Sequence, residues 1–375
     1  MAARRPGAGG PRRSARATGR VERFTIPYPA RINMSTLHEW PLQWRLRLAQ
    51  AQLKLSLLTD DEGQRQFEHA IASVFPALSA SERRQLYGRH RRSMRAFHLI
   101  QSHLTQFDAA QLEDFITRHV QVEGESCLEQ LRDNDKPIIF VTPHYGTFQL
   151  GCLKVIQQIG RRKTVNAFYN PPSVNQSSAG FEELFQRLGY GFNTLFNDDS
   201  AVLRALRVLR RGEALTMMPD VFDISGHALY VPFFGRLVPA MAGTALFALK
   251  SEATVVVGYS CPGQGLDSTV RLGAPLTIQR SGNLETDIAT LTAAIFRDIE
   301  AQIRRAPEHW MYLPSLGELL QTRLPVTPAT AQDWLARLQV AAPIFNAAVP
   351  ELPQLLQTLA SHTDHTLTRN APCAN

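Results

Sequence analysis

The sequence predicts an α/β fold: a mainly parallel central sheet flanked by helices, with a helical region before it and a small helical appendage after it. The first observation is a set of short runs that are apolar throughout, which is typical of strands covered on both faces. These runs cover residues 137–142, 165–169, 214–218, 254–259 and 269–272. The second observation is that stretches with helical spacing of apolar residues separate the runs, at residues 150–159, 181–188, 201–209 and 241–250. Strand and helix therefore alternate, as a parallel sheet requires.

A closing helix is predicted after Asn283, because apolar residues recur there along one stripe. The stripe consists of Ile288, Leu291, Ile295, Ile299 and Ile303. Ahead of the sheet, helical spacing runs from Leu37 to about Val120, and Pro76 interrupts it. Beyond Leu324, prolines separate short helical pieces, and the end of the chain is expected to be unstructured.

These patterns predict three segments. Residues 1–23 are rich in Arg, Ala, Gly and Pro and should be disordered, because they contain too little apolar surface to offset the entropy of ordering. Residues 24–324 form the main domain, divided into a helical preface (24–130) and an α/β core (131–324). Residues 325–375 form the appendage and tail.

The basic charge of the chain belongs mainly to its first segment. Of 40 Lys and Arg residues, seven lie in residues 1–23, together with one of the 33 acidic residues. The remaining 33 basic and 32 acidic residues give a net charge of +1. A nucleic-acid-binding domain would need a basic stripe on folded structure, so nucleic acid is not an expected partner. The tail has three open interpretations: a solvated segment, a tether to an anionic membrane, or a transit peptide.

Cysteines and apolar runs exclude further classes. Cys127, Cys152, Cys261 and Cys373 have neither metal-site spacing nor the density of a disulfide framework, so a reducing compartment suits them. No apolar run approaches the roughly 18 to 20 residues that cross a bilayer, and we expect no membrane-spanning helix. The sequence also lacks a GxSxG elbow, a phosphate-binding loop and paired metal-binding histidines, and we expect neither a metal nor a cofactor.

His144 is the residue whose position best fits catalysis. It lies in the segment Thr-Pro-His-Tyr-Gly-Thr-Phe-Gln-Leu (142–150), between an apolar strand and a predicted helix. This junction is the carboxyl edge of the sheet, where open α/β folds bind their ligands. A nearby helix N-terminus disfavours imidazolium and so favours the neutral ring that a general base needs. These residues alone favour a structural histidine, capping or packing near the turn, over a catalytic one.

Six short blocks between residues 70 and 312 carry a family resemblance. They are Phe75–Ser79 with Glu82 and Arg83; Val122–Glu125 with Leu128; His144; Leu206–Gly212 with Met218–Asp220; Val231–Arg236; and Ile299, Glu300, Ile303, Arg304, Pro307, Glu308 and Trp310. In this order they resemble the lysophospholipid acyltransferase superfamily and, within it, the bacterial lipid A late acyltransferases. The resemblance implies that His144 is the histidine of the HxxxxD/E motif and the general base of acyl transfer. It also implies acyl carrier protein or acyl coenzyme A as the thioester donor.

Gln149 departs from the family pattern, because it stands where the motif has its acid. A glutamine can accept a hydrogen bond from the histidine ring and hold its tautomer, but it supplies no charge. Either another acid approaches His144, with Asp220 or Asp223 preferred, or the acceptor is a stronger nucleophile than a sugar hydroxyl. A non-catalytic acyl-chain or carrier-binding protein of the same fold is the alternative.

The remaining site predictions concern substrate binding. Tyr145 and Gly146 follow the histidine directly, and backbone N–H groups near Gly146, or an arginine, are expected to stabilise the oxyanion. Phe233, Phe234 and Gly235 are candidates for an acyl slot or for packing under the sheet. Arg236 is a candidate for binding the phosphopantetheine arm or the oxyanion, and otherwise a surface residue.

The family comparison also guides the expected location. The resembling enzymes begin with a membrane helix and end with a basic-aromatic segment, whereas this chain has Met-Tyr-Leu-Pro at 311–314. We therefore expect a cytoplasmic enzyme that acylates a hydroxyl or amine of a soluble or carrier-bound intermediate. A lipid A-type membrane acceptor is the alternative, with peripheral contact on the cytoplasmic face of the inner membrane through the tail or the helical preface.

Overall fold

The computed structural model describes residues 62–173, 177–198, 200–221, 229–320, 330–345 and 351–369, together with Val349 and a few residues between positions 41 and 51. Within these ranges a seven-stranded sheet has helices on both faces, and a two-stranded hairpin accompanies it. The predicted α/β class with a mainly parallel sheet is confirmed. The predicted disordered tail (1–23) lies outside the described residues.

The strands are β1 Val120–Glu123, β2 Ile138–Val141, β3 Val165–Tyr169, β4 Phe192–Phe196, β5 Ala214–Met217, β6 Leu229–Phe233, β7 Arg236–Ala240, β8 Thr254–Pro262 and β9 Ser268–Leu272. Strands β6 and β7 form the antiparallel hairpin. The other strands form the sheet in the order β1-β9-β8-β2-β5-β3-β4. Every neighbouring pair in the sheet is parallel except β8 with β9. The carboxyl ends of β2, β5, β3 and β4 therefore share one edge.

The helices alternate with these strands and flank them. They are α1 Glu62–Val74, α2 Ala80–Leu104, α3 Ala109–His119, α4 Glu125–Asp133, α5 Phe148–Ile159, α6 Ser177–Gln186, α7 Ala201–Arg210, α8 Gly243–Ser251, α9 Leu284–Arg305, α10 Leu316–Leu319, α11 Ala331–Phe345 and α12 Leu352–Arg369. Short 3₁₀ turns cover Pro307–His309 and Leu313–Ser315. Capping residues fix where two of these helices begin. Ser79 and Glu82 form a capping box at the N-terminus of α2, and the Asn283 side chain accepts a hydrogen bond from the Thr286 N–H at the N-terminus of α9.

Three pieces of β-structure were not predicted from sequence. β1 and β4 lie at the two edges of the sheet and contain exposed or partly exposed polar residues, so they lack the continuous apolar pattern of the inner strands. β1 falls inside the region predicted as a helical preface, and that prediction is wrong for residues 120–123. Both strands of the β6–β7 hairpin contain a proline, which obscures their strand pattern.

The inner strands divide the core into two layers. Along β2, Ile139 and Val141 face the layer formed by α7, α8 and α9, while Ile138 and Phe140 face the layer formed by α3, α4 and α5. All four residues are at most 4% exposed. This double burial explains why β2 is apolar throughout, and it leaves chemistry to the residues beyond its carboxyl end.

The C-terminal helices α11 and α12 pack on the main core. Trp334 and Leu338 of α11 and Leu352 and Leu359 of α12 are buried in the same cluster as the α9 residues. The Trp334 ring meets the Tyr230 ring edge-on at a centroid distance of 5.0 Å. The predicted appendage is therefore helical, as expected, and it shares its apolar contacts with the main domain.

His90 joins α2 to the 3₁₀ turn at Pro307–His309. Its ring stacks on Phe67 with centroids 5.9 Å apart, and its Nδ1 lies 3.1 Å from the Glu308 carbonyl oxygen. Burial lowers the pKa of His90 from 6.5 to about 4, although the Glu308 carbonyl opposes the shift. The folded protein therefore holds this imidazole neutral, with Nδ1–H donating to the carbonyl.

His90→Gln should make folding less sensitive to acid. In the wild type the unfolded chain binds a proton at His90 near pH 6.5 while the folded chain binds it only near pH 4, so stability falls as the pH drops through this window. One such shift contributes roughly 3 kcal/mol. Glutamine keeps an N–H donor but does not titrate. Denaturant unfolding at pH 7, 5 and 4 measures the effect, with the exposed His69→Gln as control, and equal pH dependence in His90→Gln and wild type would contradict it.

Candidate active site

His144 and Asp220 meet because the strands that precede them are parallel neighbours. β2 pairs with β5 with Val141 opposite Met217, and the N–H of Thr142 donates to the Met217 carbonyl at 2.9 Å. His144 and Asp220 each lie three residues beyond the end of their strand. Both therefore lie at the carboxyl edge of the sheet, where the sequence predicted them.

The Asp220 carboxylate accepts three hydrogen bonds from N–H donors. Its Oδ1 accepts from His144 Nδ1 at 2.9 Å, and its Oδ2 accepts from the His144 backbone N–H at 2.8 Å and from Trp310 Nε1 at 3.0 Å. Asp220 is 1% exposed, and Trp310 is fully buried. Within the described residues no Lys or Arg pairs with this carboxylate. The His144 imidazole, once protonated, is therefore the cation that pairs with it.

This contact sets the tautomer of His144. A carboxylate can only accept, so the ring proton lies on Nδ1 and the lone pair on Nε2. The His144 side chain is 18% exposed, and its Nε2 has no hydrogen-bond partner in the described part of the chain. The ring can therefore take up a proton at Nε2, and Asp220 would stabilise the imidazolium that forms.

Two aromatic rings hold the imidazole from its sides. Phe148 and Tyr312 meet it edge-on, with centroid distances of 5.3 Å and 5.1 Å. Phe148 in turn stacks on Phe97 of α2. Burial, together with the charge of Asp220, raises the pKa of the Tyr312 phenol. Tyr312 therefore stays protonated at neutral pH and presents no competing negative charge to the histidine.

The turn after His144 depends on Gly146. This residue has a φ of +59°, and an added Cβ would lie 2.0 Å from the Ser260 carbonyl oxygen. The Gly146 N–H donates to the His309 carbonyl at 2.8 Å, and the Thr147 N–H donates to the Ser260 carbonyl at 3.2 Å. These two N–H groups already have acceptors in this structure, and the predicted oxyanion donor, a backbone N–H near Gly146 or an arginine, stays a prediction.

Three buried hydroxyls attach the same turn to β8 and β9. Thr147 Oγ1 lies 3.0 Å from Ser260 Oγ and 2.6 Å from Ser268 Oγ, and the two serine oxygens are 3.0 Å apart. All three residues are at most 4% exposed. A hydroxyl can donate once and accept twice, so each oxygen of the triangle is satisfied internally. The triangle fixes the start of α5, four residues after His144.

A glutamine at the motif's acid position could accept a hydrogen bond from the histidine ring, but no hydrogen bond joins Gln149 to His144 among the described residues. Nδ1 of the ring is already bound to Asp220. Gln149 is 3% exposed, yet its Nε2 has no hydrogen-bond partner. The first of the two readings of this departure, another acid beside His144, matches the geometry of Asp220. Asp223 lies outside the described residues.

Tyr145, a predicted substrate-binding residue, is tied into the protein. It is 1% exposed. Its hydroxyl donates to the Ala306 carbonyl at 3.0 Å and accepts from Gln302 Nε2 at 2.9 Å. These contacts hold the end of α9 against the turn that follows His144. The predicted substrate contact of Tyr145 and Gly146 stays a prediction.

The hairpin candidates serve packing in this structure. Phe233 is fully buried and contacts Trp310 edge-on at 6.0 Å. Phe234 and Gly235 are the two residues of the β6–β7 turn, with φ values of 51° and 77°, the pattern of a hairpin turn whose backbone follows the strand twist. Arg236 is half exposed and forms an ion pair with Glu351, the residue before α12. Phe233 links this group to the site through its contact with Trp310.

Trp310, Phe148 and Tyr312 were not predicted as site residues. Trp310 bonds to the acid and the other two contact the imidazole. Phe148 was within reach of sequence reasoning, since it lies four residues after His144. Trp310 and Tyr312 lie more than 160 residues further along the chain, and only the resemblance of the closing block drew attention to Trp310.

The described ranges contain no group of three or more His, Cys, Asp or Glu side chains arranged to hold a metal ion. The described cysteines are unpaired, and burial raises the pKa of Cys152 to about 12, which keeps its thiol protonated. None of the helices in the described part of the chain is long and apolar enough to cross a membrane.

The chain matches a known protein family. The sequence model for bacterial lipid A biosynthesis acyltransferases matches residues 28–316, which is more than half of the chain. This range contains His144, Gln149, Asp220 and Trp310. A search of curated proteins finds no match.

Gly146→Ala should be strongly destabilising. Its Cβ would add a backbone clash to the strain of a positive φ, and we expect a loss of about 3 kcal/mol or more in the free energy of unfolding. Gly189→Ala is the matched control, because Gly189 also has a positive φ but has no atom within 4 Å of an added Cβ. The control should lose only about 1 kcal/mol. Denaturant unfolding compares the two, and equal losses would contradict the close approach at Gly146.

Proposed function

The chain belongs to the family of bacterial lipid A biosynthesis acyltransferases, and from this premise we propose that it transfers a fatty acyl group from a thioester to a hydroxyl or amine with His144 as general base. Acyl carrier protein and coenzyme A thioesters are the proposed donors. The observation that carries the proposal is the buried Asp220 carboxylate, 2.9 Å from His144 Nδ1. This contact supports His144 as a general base, although Gln149 stands where the HxxxxD/E motif has its acid.

The proposed reaction is direct transfer within a ternary complex. As the acceptor oxygen or nitrogen attacks the thioester carbonyl, its proton passes to His144 Nε2. The tetrahedral intermediate then collapses, the carbon–sulfur bond breaks, and the thiolate takes the proton from the imidazolium. Asp220 stabilises the imidazolium between these two steps, which a glutamine could not do. No covalent intermediate on the enzyme is needed.

Apolar surface at the same sheet edge supports a fatty acyl substrate. Val221 directly follows Asp220 and is 43% exposed. Val202 and Leu203, in the first turn of α7, are 47% and 65% exposed. α7 follows β4, whose carboxyl end shares this edge. We propose that these side chains contact the acyl chain, in place of the hairpin residues considered from sequence.

The acceptor is the least constrained part of the proposal. We propose a hydroxyl or amine on a soluble or carrier-bound intermediate in the cytoplasm, with a lipid A-type membrane acceptor as the second candidate. An acceptor panel that includes a lipid A precursor in detergent, soluble hydroxyl compounds and soluble amines separates the two. The alternative of a non-catalytic binding protein depended on the missing acid, and the Asp220 contact weighs against it.

Removing either member of the pair should stop or slow turnover. We expect His144→Ala to abolish thiol release from acyl carrier and acyl coenzyme A thioesters in the presence of the acceptor panel. Asp220→Asn should lower kcat by at least about 10²-fold, because an amide cannot stabilise the imidazolium; such a replacement costs a serine protease about 10⁴-fold. A thiol-reactive dye reports the release.

His119 and Asp267 provide a matched control for these variants. His119 Nδ1 lies 2.8 Å from Asp267 Oδ1, which reproduces the distance of the catalytic pair, but the Asp267 side chain is 64% exposed. Asp267→Asn should leave turnover unchanged. Wild-type rates in His144→Ala would contradict the proposed function.

A further inference from the structure

Gln149 combines two properties that a purely structural residue rarely has. The residue is only 3% exposed, and its Nε2 has no hydrogen-bond acceptor in the described part of the chain. Buried polar groups in folded proteins are almost always hydrogen-bonded, because an unmade bond leaves the cost of desolvation uncompensated. An unpaired buried N–H group therefore points to a partner that is absent from the free protein.

Gln149 lies at the start of the helix that follows His144. It is the second residue of α5, which begins at Phe148. Side chains of a helix lean toward its N-terminus, which favours a Gln149 amide on the side of the turn that leads back to His144. Its backbone N–H and that of Phe148 are also without acceptors in the described part of the chain, as expected for the first turn of a helix. All these groups are donors, and together they favour a negative charge.

We propose that the Gln149 amide is the oxyanion donor of the acyl transfer, an inference that rests on the proposed function. When the acceptor attacks, the π electrons of the thioester carbonyl move to its oxygen, and Gln149 Nε2–H donates to that oxygen. When the carbon–sulfur bond breaks, the electrons return to the carbonyl and the proton held by His144 goes to the thiolate. The products are the acylated acceptor and a free thiol, so atoms and charge balance.

The backbone N–H groups nearest to His144 do not compete with Gln149 for the role of oxyanion donor. The N–H groups of Gly146 and Thr147 are already bound to the His309 and Ser260 carbonyls and offer no alternative donors. A carboxylate at position 149 would have no N–H to donate and would repel a negative charge that develops beside it. In this chain, where Asp220 binds His144, glutamine supplies an uncharged donor at that position.

Gln149→Met and Gln149→Glu test the proposal together. Methionine keeps the volume and removes the unpaired N–H groups, so we expect unchanged or higher thermal stability and a kcat about 10²-fold to 10³-fold lower at a similar KM. Glutamate should also lower kcat. If the glutamine were merely a lost acid, glutamate would raise kcat instead, and that gain would overturn the proposal.

The outcomes separate this proposal from the proposed function. His144-dependent turnover at wild-type kcat in Gln149→Met would overturn the oxyanion role and leave the acyltransferase intact. Absence of His144-dependent turnover in the wild type would remove both. Gln157→Met is the control, because Gln157 lies on the same helix but bonds to Glu113 and Thr117, and its kcat should match the wild type.

Discussion

A carboxylate that is 1% exposed stays charged in a protein interior only where fixed donors replace its water, and Asp220 has three such donors. Two come from His144 and one from Trp310, so the same three contacts fix the acid, the imidazole and the closing segment of the chain. Removing one partner of such a buried set leaves the others unsatisfied, which is costly. The geometry around the histidine therefore follows from where this carboxylate lies.

Several elements cooperate to bring these residues together. The parallel pairing of β2 with β5 sets the distance between His144 and Asp220. The turn at Gly146 lets the chain form hydrogen bonds to the His309 and Ser260 carbonyls. The hydroxyl triangle then starts α5 at a fixed point. The contacts of the turn and of the hydroxyl triangle are polar, yet they depend on the apolar core, because the double burial of the inner strands leaves only the sheet edge for polar groups.

Sequence reasoning identified the fold class and the inner strands because a doubly covered strand is apolar throughout. It missed β1 and β4 because edge strands alternate with polar residues, and it missed the hairpin because each strand contains a proline. His144 was found from its junction position, and Asp220 from the strand that precedes it. That Asp220, and not Gln149, binds the ring could not be read from the chain, since it depends on pairing between residues 76 positions apart.

The tautomer of His144 tests the central role of Asp220 most directly. It can be measured by ¹⁵N NMR of protein labelled at histidine, with His144→Gln used to assign the signals and Asp220→Asn as comparison. We expect the neutral His144 ring of the wild type to carry its proton on Nδ1 and to leave Nε2 unprotonated, and Asp220→Asn to lose this preference. A wild-type ring protonated at Nε2, or a tautomer unchanged by Asp220→Asn, would contradict the role of Asp220 as the partner of the base.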